Sequence, residues 1–308
     1  MELIRGLHNL RPEHIGCVLT IGKFDGVHRG HQAVLANVHE KARRLGLPST
    51  VMVFEPQPEE LFSPDTAPAR LSTLREKYQL LKEQSVDRLL CVRFDEYFAS
   101  QTADTFIEEL LVERLGVKFL VVGDDFRFGR GRRGDFSMLE RAGEAMGFDV
   151  VSTQSFMVDD CRISSTAVRE VLAKGEFEKA GNMLGRPFVI DGRVVHGDKK
   201  GRTIGFPTAN VLLKRSRPAI NGVFAVTVDV QGERFYGVAN VGARPTVQGK
   251  RTQLEVHIFN YTGTLYGEQI KVYPVKKLRD EQKFDSFDEL KQQIQRDAEA
   301  AKALFGIA

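Results

Sequence analysis

Two hydrophobic patterns alternate along the first part of the chain. Short, nearly unbroken apolar runs at Cys17–Ile21, Thr50–Phe54, Arg88–Val92, Phe119–Gly123 and Asp149–Ser152 read as strands. Between them His31–Leu45, Leu74–Lys82, Ala103–Leu115 and Ser137–Met146 carry apolar residues at helical spacing, and Thr166–Lys174 and Phe177–Leu184 continue it. Strand–helix alternation predicts an α/β domain in which a Rossmann-like parallel sheet has helices on both faces. Ligands of such sheets sit beyond the C-terminal strand ends, in the strand-to-helix loops.

The period changes after Gly185-Arg186-Pro187. Phe188–Val195, Gly222–Val230, Phe235–Val241, Gln253–Phe259 and Gln269–Val275 read as strands, several alternating in twos, with Gly or Asn in the turns. This predicts an antiparallel barrel. Ser286–Leu304 follows as one amphipathic helix, and Ser286 with Glu289 fits a capping box. The expected division is 1–185 and 187–308.

Composition narrows the class. With 308 residues, 42% hydrophobic and 28% charged, the chain can bury a sizeable core, so disorder and fibrous folds are excluded. No apolar run approaches the roughly 20 residues of a membrane span, and Met1–Arg5 lacks the plan of a signal peptide. Cys17, Cys91 and Cys161 are too sparse for a disulfide scaffold or a CxxC metal pair. A cytoplasmic location is therefore expected, with no membrane partner. The net charge of +3 splits into −3 before residue 187 and +6 from there on. Neither part is basic enough to point to nucleic acid. Nothing here fixes oligomeric state, so a homo-oligomer is left open.

The first chemical constellation is Gly22-Lys23-Phe24-Asp25-Gly26-Val27-His28-Arg29-Gly30-His31, which leaves a strand and opens a helix. Glycines allow backbone amides close to a ligand, and a helix N-terminus attracts phosphate. His28 and His31, three apart, share one face, and as imidazolium they could stabilise charge on a phosphate. A second helix start, Ile163-Ser164-Ser165-Thr166-Ala167-Val168-Arg169, offers hydroxyls, amides and a guanidinium; a plain N-cap explains it equally well. Gly129-Arg130-Gly131-Arg132-Arg133-Gly134 matches GxGxxG but does not join a strand directly to a helix. It reads as a mobile basic loop near phosphate.

The second constellation is His196–Asn210. Gly197, Gly201 and Gly205 give a loop able to wrap phosphate, followed by Phe206 and Pro207. Thr208 and Asn210 are two apart in an extended stretch, so their oxygens face one way, and neutral oxygens suit a Mg²⁺ that also touches phosphate. No Walker A sequence is present. Downstream, Glu255 and His257 share one face of a strand, here expected to be the barrel interior. A carboxylate there is costly unless used or paired, and could take a hydroxyl proton. A salt-bridged strand residue is the competing explanation.

His28-x-Gly30-His31 with Ser164–Arg169 resembles the nucleotidyltransferase superfamily. The longer strings Gly22–His31, Gly123–Gly131 and Arg162–Arg169 resemble the adenylylating domain of the bacterial bifunctional riboflavin kinases/FAD synthetases. Gly201–Asn210, Asn240–Thr246 and Glu255–Gly267 resemble their riboflavin kinase domain. The resemblance implies phosphorylation of riboflavin to FMN, then adenylylation of FMN to FAD, with ATP as substrate in both steps and Mg²⁺ as cofactor. It also implies a six-stranded barrel. It makes Thr208 and Asn210 the metal pair and Glu255 the base, places ATP on Gly22, Phe24–Gly26, Gly30 and Ser164–Thr166, and adds Arg169 to the histidines. Phe62, Asp125, Phe128 and Arg279 are candidate flavin contacts. Phe106 reads as core, on a helical stripe with Leu110, and holding its turn is the competing reading for Asp125. The family often has Asp where this chain has Asn260. Two other readings stay open: a kinase with an inactive first domain, and a flavin- or nucleotide-binding regulator without catalysis.

Overall fold

A computed structural model describes the chain except for Asp124, 154–156, 159–160, 197–205, 214–216, 247–248 and Ala308. For 157–158, 161–162, 243–246 and 249–251 it describes the backbone alone. Two compact units result: Met1–Pro68 with Leu74–Ser164, and Ala69–Thr73 with Ser165–Ala308.

The first unit holds a parallel six-stranded sheet in the order β1-β4-β3-β2-β5-β6. The strands are β1 (Glu2–Arg5), β2 (Cys17–Ile21), β3 (Ser49–Glu55), β4 (Arg88–Arg93), β5 (Val117–Gly123) and β6 (Asp149–Thr153). β1 escapes the pattern reading because only Ile4 of its four residues is buried. Alternation along the strands feeds two cores. Val51 and Val53 of β3 pack with Leu35 of α1 (Arg29–Leu45) and Leu81, from a helix over Leu74–Glu83. Met52, with Leu19 and Leu120, packs under Phe106, Ile107 and Leu111 on the other face. That second cover is expected as one α-helix, but it turns π-helical over Phe106–Arg114. Its buried residues, Phe106, Ile107, Leu110 and Leu111, form one apolar face, so the hydrophobic pattern does not reveal the π turn.

In the second unit six strands close into a barrel in the order β10-β13-β12-β11-β14-β9. They are β9 (Ile190–Val195), β10 (Ala209–Leu212), β11 (Gly222–Val230), β12 (Glu233–Thr246), β13 (Gly249–Ile258) and β14 (Gln269–Arg279); β7 (Met157–Val158) and β8 (Cys161–Arg162) are a short hairpin that belongs to the first unit. The interior is dry: Val194, Val211, Val228, Val241, Val256 and Val272, one from each strand, are at most 2% exposed. β10 goes unread by periodicity because it is only four residues long, next to a glycine-rich stretch. The terminal helix covers Phe287–Phe305 and lays Ala298 and Ala301 on the outer face, against Val223, Ala225 and Phe259. Ser286 caps it by accepting the Glu289 N–H. Glu289 reaches back to the Asp285 N–H, one residue short of the reciprocal box expected. Two further helices, Ser165–Ala173 and Phe177–Leu184, belong to this unit, with the Phe177 ring 5.7 Å from Phe224.

This register corrects one expectation. Val256 pairs with Ala239 and Leu254 with Val241, all buried inside, so Glu255 and His257 face outward. A barrel this narrow is filled by its own valines and has no room for a carboxylate. Glu255 instead lies on the outer face that also carries Val223 and Val238, the one the terminal helix covers.

Candidate functional site

Strand order places the first site. β2 is flanked by β3 on one side and β5 on the other, so the chain reverses direction of travel there, and a crevice opens beyond the ends of β2 and β5. Gly22–His31 leaves the end of β2, and Asp125–Phe128 follows the end of β5.

The loop after β2 is held under strain. Phe24 and Val27 have φ of 45° and 40°, and Gly26 between them 80°. For a bulky and a β-branched residue this costs on the order of 1–3 kcal/mol each, typical of a ligand-shaped loop. Phe24, Asp25, Gly26, Val27 and His28 are all buried, while Gly22 is half-buried. His28 is the N-cap of α1: its Nδ1 accepts the His31 N–H at 3.3 Å. A ring nitrogen that accepts carries no proton, so His28 presents Nε2–H as its donor. The rings of His28 and His31 stack at 3.7 Å. Gly30 admits this contact: a Cβ there would sit 3.1 Å from His28 Nδ1 and 3.3 Å from the Ile163 carbonyl.

Burial pushes the His31 imidazole well below its ordinary pKa, and the positive charge of Lys77 adds to the shift. With Nδ1 committed to the His31 N–H, His28 is a neutral Nε2–H donor by geometry, and burial disfavours the imidazolium form of His31, expected from the sequence, by removing the water that would support the charge. Lys77 itself is fully buried in the helix over Leu74–Glu83. It was missed because a lysine on an amphipathic helix reads as solvent-facing.

Aromatic rings run along the same strand ends. Phe62 is 66% exposed, and its ring meets Phe94 at 5.8 Å. Phe94 meets Phe54 and Phe98, Phe98 meets Phe106, and Phe106 meets Phe128 at 5.1 Å. Phe128 is nearly buried in the core with Phe106, so of the two candidate flavin rings only Phe62 is open. Asp125 is exposed, and its carboxylate folds back over Gly123. The arginine-rich loop is tied down, not free: Phe128 and Gly134 exchange both backbone hydrogen bonds, at 3.2 and 2.9 Å, leaving Arg130, Arg132 and Arg133 exposed.

Ser164 ends the first unit, while Ser165, Thr166 and Arg169 begin the second. Ser165 is the first residue of its helix; Thr166 is exposed, and Arg169 donates from Nε to the Ala69 carbonyl.

On the barrel, one row of side chains crosses three strands. Asn210 of β10, Glu255 of β13 and Asn240 of β12 are directly opposite one another, so they share the outer face. Asn210 is 7% exposed; its Nδ2 donates to the Thr208 carbonyl, and its Oδ1 accepts from Gln253 Nε2. Thr208 is half-buried beside it. Phe206 and Pro207 lead into this row, while Gly197, Gly201 and Gly205 lie outside the described residues. Arg279 is engaged elsewhere: its guanidinium grips Asp297 of the terminal helix through Nε at 3.0 Å and Nη2 at 2.8 Å. Asn260 adopts φ 57°, a turn conformation that Asn tolerates as well as Asp.

The two sites match two families in chain order. The FAD synthetase family model covers residues 10–167, and the riboflavin kinase model covers 184–305. The bifunctional riboflavin kinase/FMN adenylyltransferase of Escherichia coli K12 is 58% identical over all of this chain and 99% of its own. That of Pseudomonas fluorescens is 52% identical over 99% and 98%. A solved structure from Streptococcus pneumoniae, described as a macrolide-efflux protein, is 31% identical with a TM-score of 0.77, covering 98% of this chain and 99% of its own. Among the described residues of this chain no helix is long and apolar enough to cross a membrane. By sequence along its whole length, the chain belongs to the family of bifunctional riboflavin kinases/FMN adenylyltransferases.

Proposed function

We propose that the chain's two activities, phosphorylation of riboflavin to FMN and adenylylation of FMN to FAD, are carried by the two constellations separately, with the functional boundary between 185 and 187. In the adenylyl step an FMN phosphate oxygen attacks the α-phosphorus of ATP, and pyrophosphate leaves. The nucleophile is already an anion, so no base is required, and the work is positioning and charge stabilisation. His28 Nε2–H, the His31 ring and the amides of the Gly26–Gly30 turn supply donors at a helix N-terminus. Ser164 adds a hydroxyl from the same unit, and Ser165, Thr166 and Arg169 are assigned to ATP by the sequence resemblance alone. Phe62 offers the open ring for the flavin, with Phe128 behind and Asp125 at the turn.

In the kinase step the riboflavin 5′-hydroxyl attacks the γ-phosphorus of ATP, ADP leaves, and Glu255 takes the hydroxyl proton. The observation that carries this reading is the Asn210–Glu255 register, which sets a base directly beside an oxygen donor. Thr208 and Asn210 suit Mg²⁺: two neutral oxygens leave the other positions to phosphate and water. The ion, when bound, would neutralise phosphate charge. Gly197–Pro207 would wrap the nucleotide, and Arg279 would act on flavin indirectly, through the helix it grips. A cytoplasmic location with no nucleic-acid partner follows from soluble substrates and a balanced charge.

Incubating the chain with riboflavin, ATP and Mg²⁺ and resolving the flavins by chromatography tests the whole reading. FAD is expected; accumulation of FMN alone would remove the first site, and unconverted riboflavin would remove both.

A further inference from the structure

His257 has no role in the reading above, yet it touches the segment that carries the metal-binding pair. Its Nδ1 lies 2.9 Å from the Pro207 carbonyl. Phe206 packs edge-on against its ring at 5.2 Å, and Phe259, two residues along the same strand face, does so at 5.6 Å. Pro207 immediately precedes Thr208, and Asn210 pairs with Glu255, two residues before His257. The loop from Phe206 to Asn210 is thus fastened to β13 at both ends, by His257 at Pro207 and by Glu255's register with Asn210.

We infer that His257 is a positioning residue for the kinase site: its Nδ1–H, donated to the Pro207 carbonyl, holds Thr208 and Asn210 in place over Glu255. This rests on the assignment of Thr208, Asn210 and Glu255 above. A carbonyl oxygen can only accept, so the bond fixes the tautomer with the proton on Nδ1. Proline makes this the natural fastening point, since it has no N–H of its own to anchor it and its carbonyl is what it can offer. The ring is also packed between two phenylalanines, so its plane is set before substrate arrives. A pinned loop holds its oxygens ready, and releasing it means that each binding event must order them again.

Two variants separate the donor from the ring. His257→Phe keeps the aromatic packing and removes the donor. His257→Asn loses the ring but keeps an N–H at the position of Nδ1. For His257→Phe the expected result is a KM for ATP in riboflavin phosphorylation raised about three- to tenfold, the scale of one hydrogen bond, with a smaller change in kcat. His257→Asn is expected to recover most of that loss. Independently of turnover, ¹⁵N NMR of histidine-labelled full-length chain should show, for the signal absent in His257→Phe, a protonated Nδ1 and a bare Nε2 at pH 7.5. An Nε2–H tautomer would overturn the inference. So would a fall in kcat shared equally by both variants, which would mark the ring as a reacting group, or unchanged kinetics in both, which would make it a bystander. Failure of the site assignment is read separately, from Glu255→Gln: a wild-type kinase rate there would remove the assignment even if His257 keeps its tautomer.

Discussion

The adenylyl site depends most on two residues that look alike in the sequence and differ in the fold. His28 has its Nδ1 committed to the α1 N-terminus, whereas His31 is held neutral by its surroundings. Replacing either with Ala should slow FAD formation from FMN by roughly 10²-fold, the usual effect of losing one preorganised donor. Riboflavin phosphorylation by the same variants is the comparison, and equal loss of both activities would indicate a structural role. His31 also links stability to pH. Its pKa lies well below that of an ordinary imidazole in the folded chain, so the unfolded chain takes up the proton first. The stability His31 provides is complete above about pH 6.5 and is lost as the pH falls below it. His31→Gln should therefore flatten the decline in Tm between pH 7.5 and 5.5, and an unchanged decline would contradict the burial argument. At this scale the spacing of His28, Gly30 and His31 was legible, because motif residues sit close in sequence. Lys77, Gln253 and the His257–Pro207 bond were not, because each meets its partner across a fold that local pattern does not encode.

Among the elements, the terminal helix is the piece whose fastening can be measured. Arg279 and Asp297 are 20% and 7% exposed and bond through two guanidinium nitrogens, and Gln293 adds a further bond to Asp297. Removing one partner strands the other, so Asp297→Ala should destabilise the barrel unit by about 3 kcal/mol in urea unfolding. A loss below about 1 kcal/mol would mean that Ala298 and Ala301 hold the helix without the pair. Helix periodicity and the long strands were readable because their burial repeats. The four-residue strands β1 and β10 carry too little pattern to be seen. The outward aim of Glu255 was also hidden, since alternation shows which residues share a face but not which face is inside.

For the whole molecule, the sequence change at residue 187 and the compact units do not coincide. The helices Ser165–Ala173 and Phe177–Leu184 fall in the barrel unit, with Ala180 and Leu184 almost fully buried. A fragment starting at Ser165 should therefore phosphorylate riboflavin and melt at a higher temperature than one starting at 187, which exposes the partners of Phe177. Equal melting temperatures would show those helices to be dispensable to the barrel. The two chemistries differ in one respect that a single substitution can expose: the hydroxyl of riboflavin gains from a proton acceptor and the phosphate of FMN does not. Glu255→Gln keeps size and hydrogen bonding while removing basicity. The most direct measurement is therefore that one variant, assayed at saturating substrates for FMN formed from riboflavin and for FAD formed from supplied FMN. Phosphorylation is expected to fall by about 10²–10⁴-fold, with adenylylation near the wild-type rate. Phosphorylation at the wild-type rate would contradict this, leaving Glu255 an ordinary residue on the outer face of a strand.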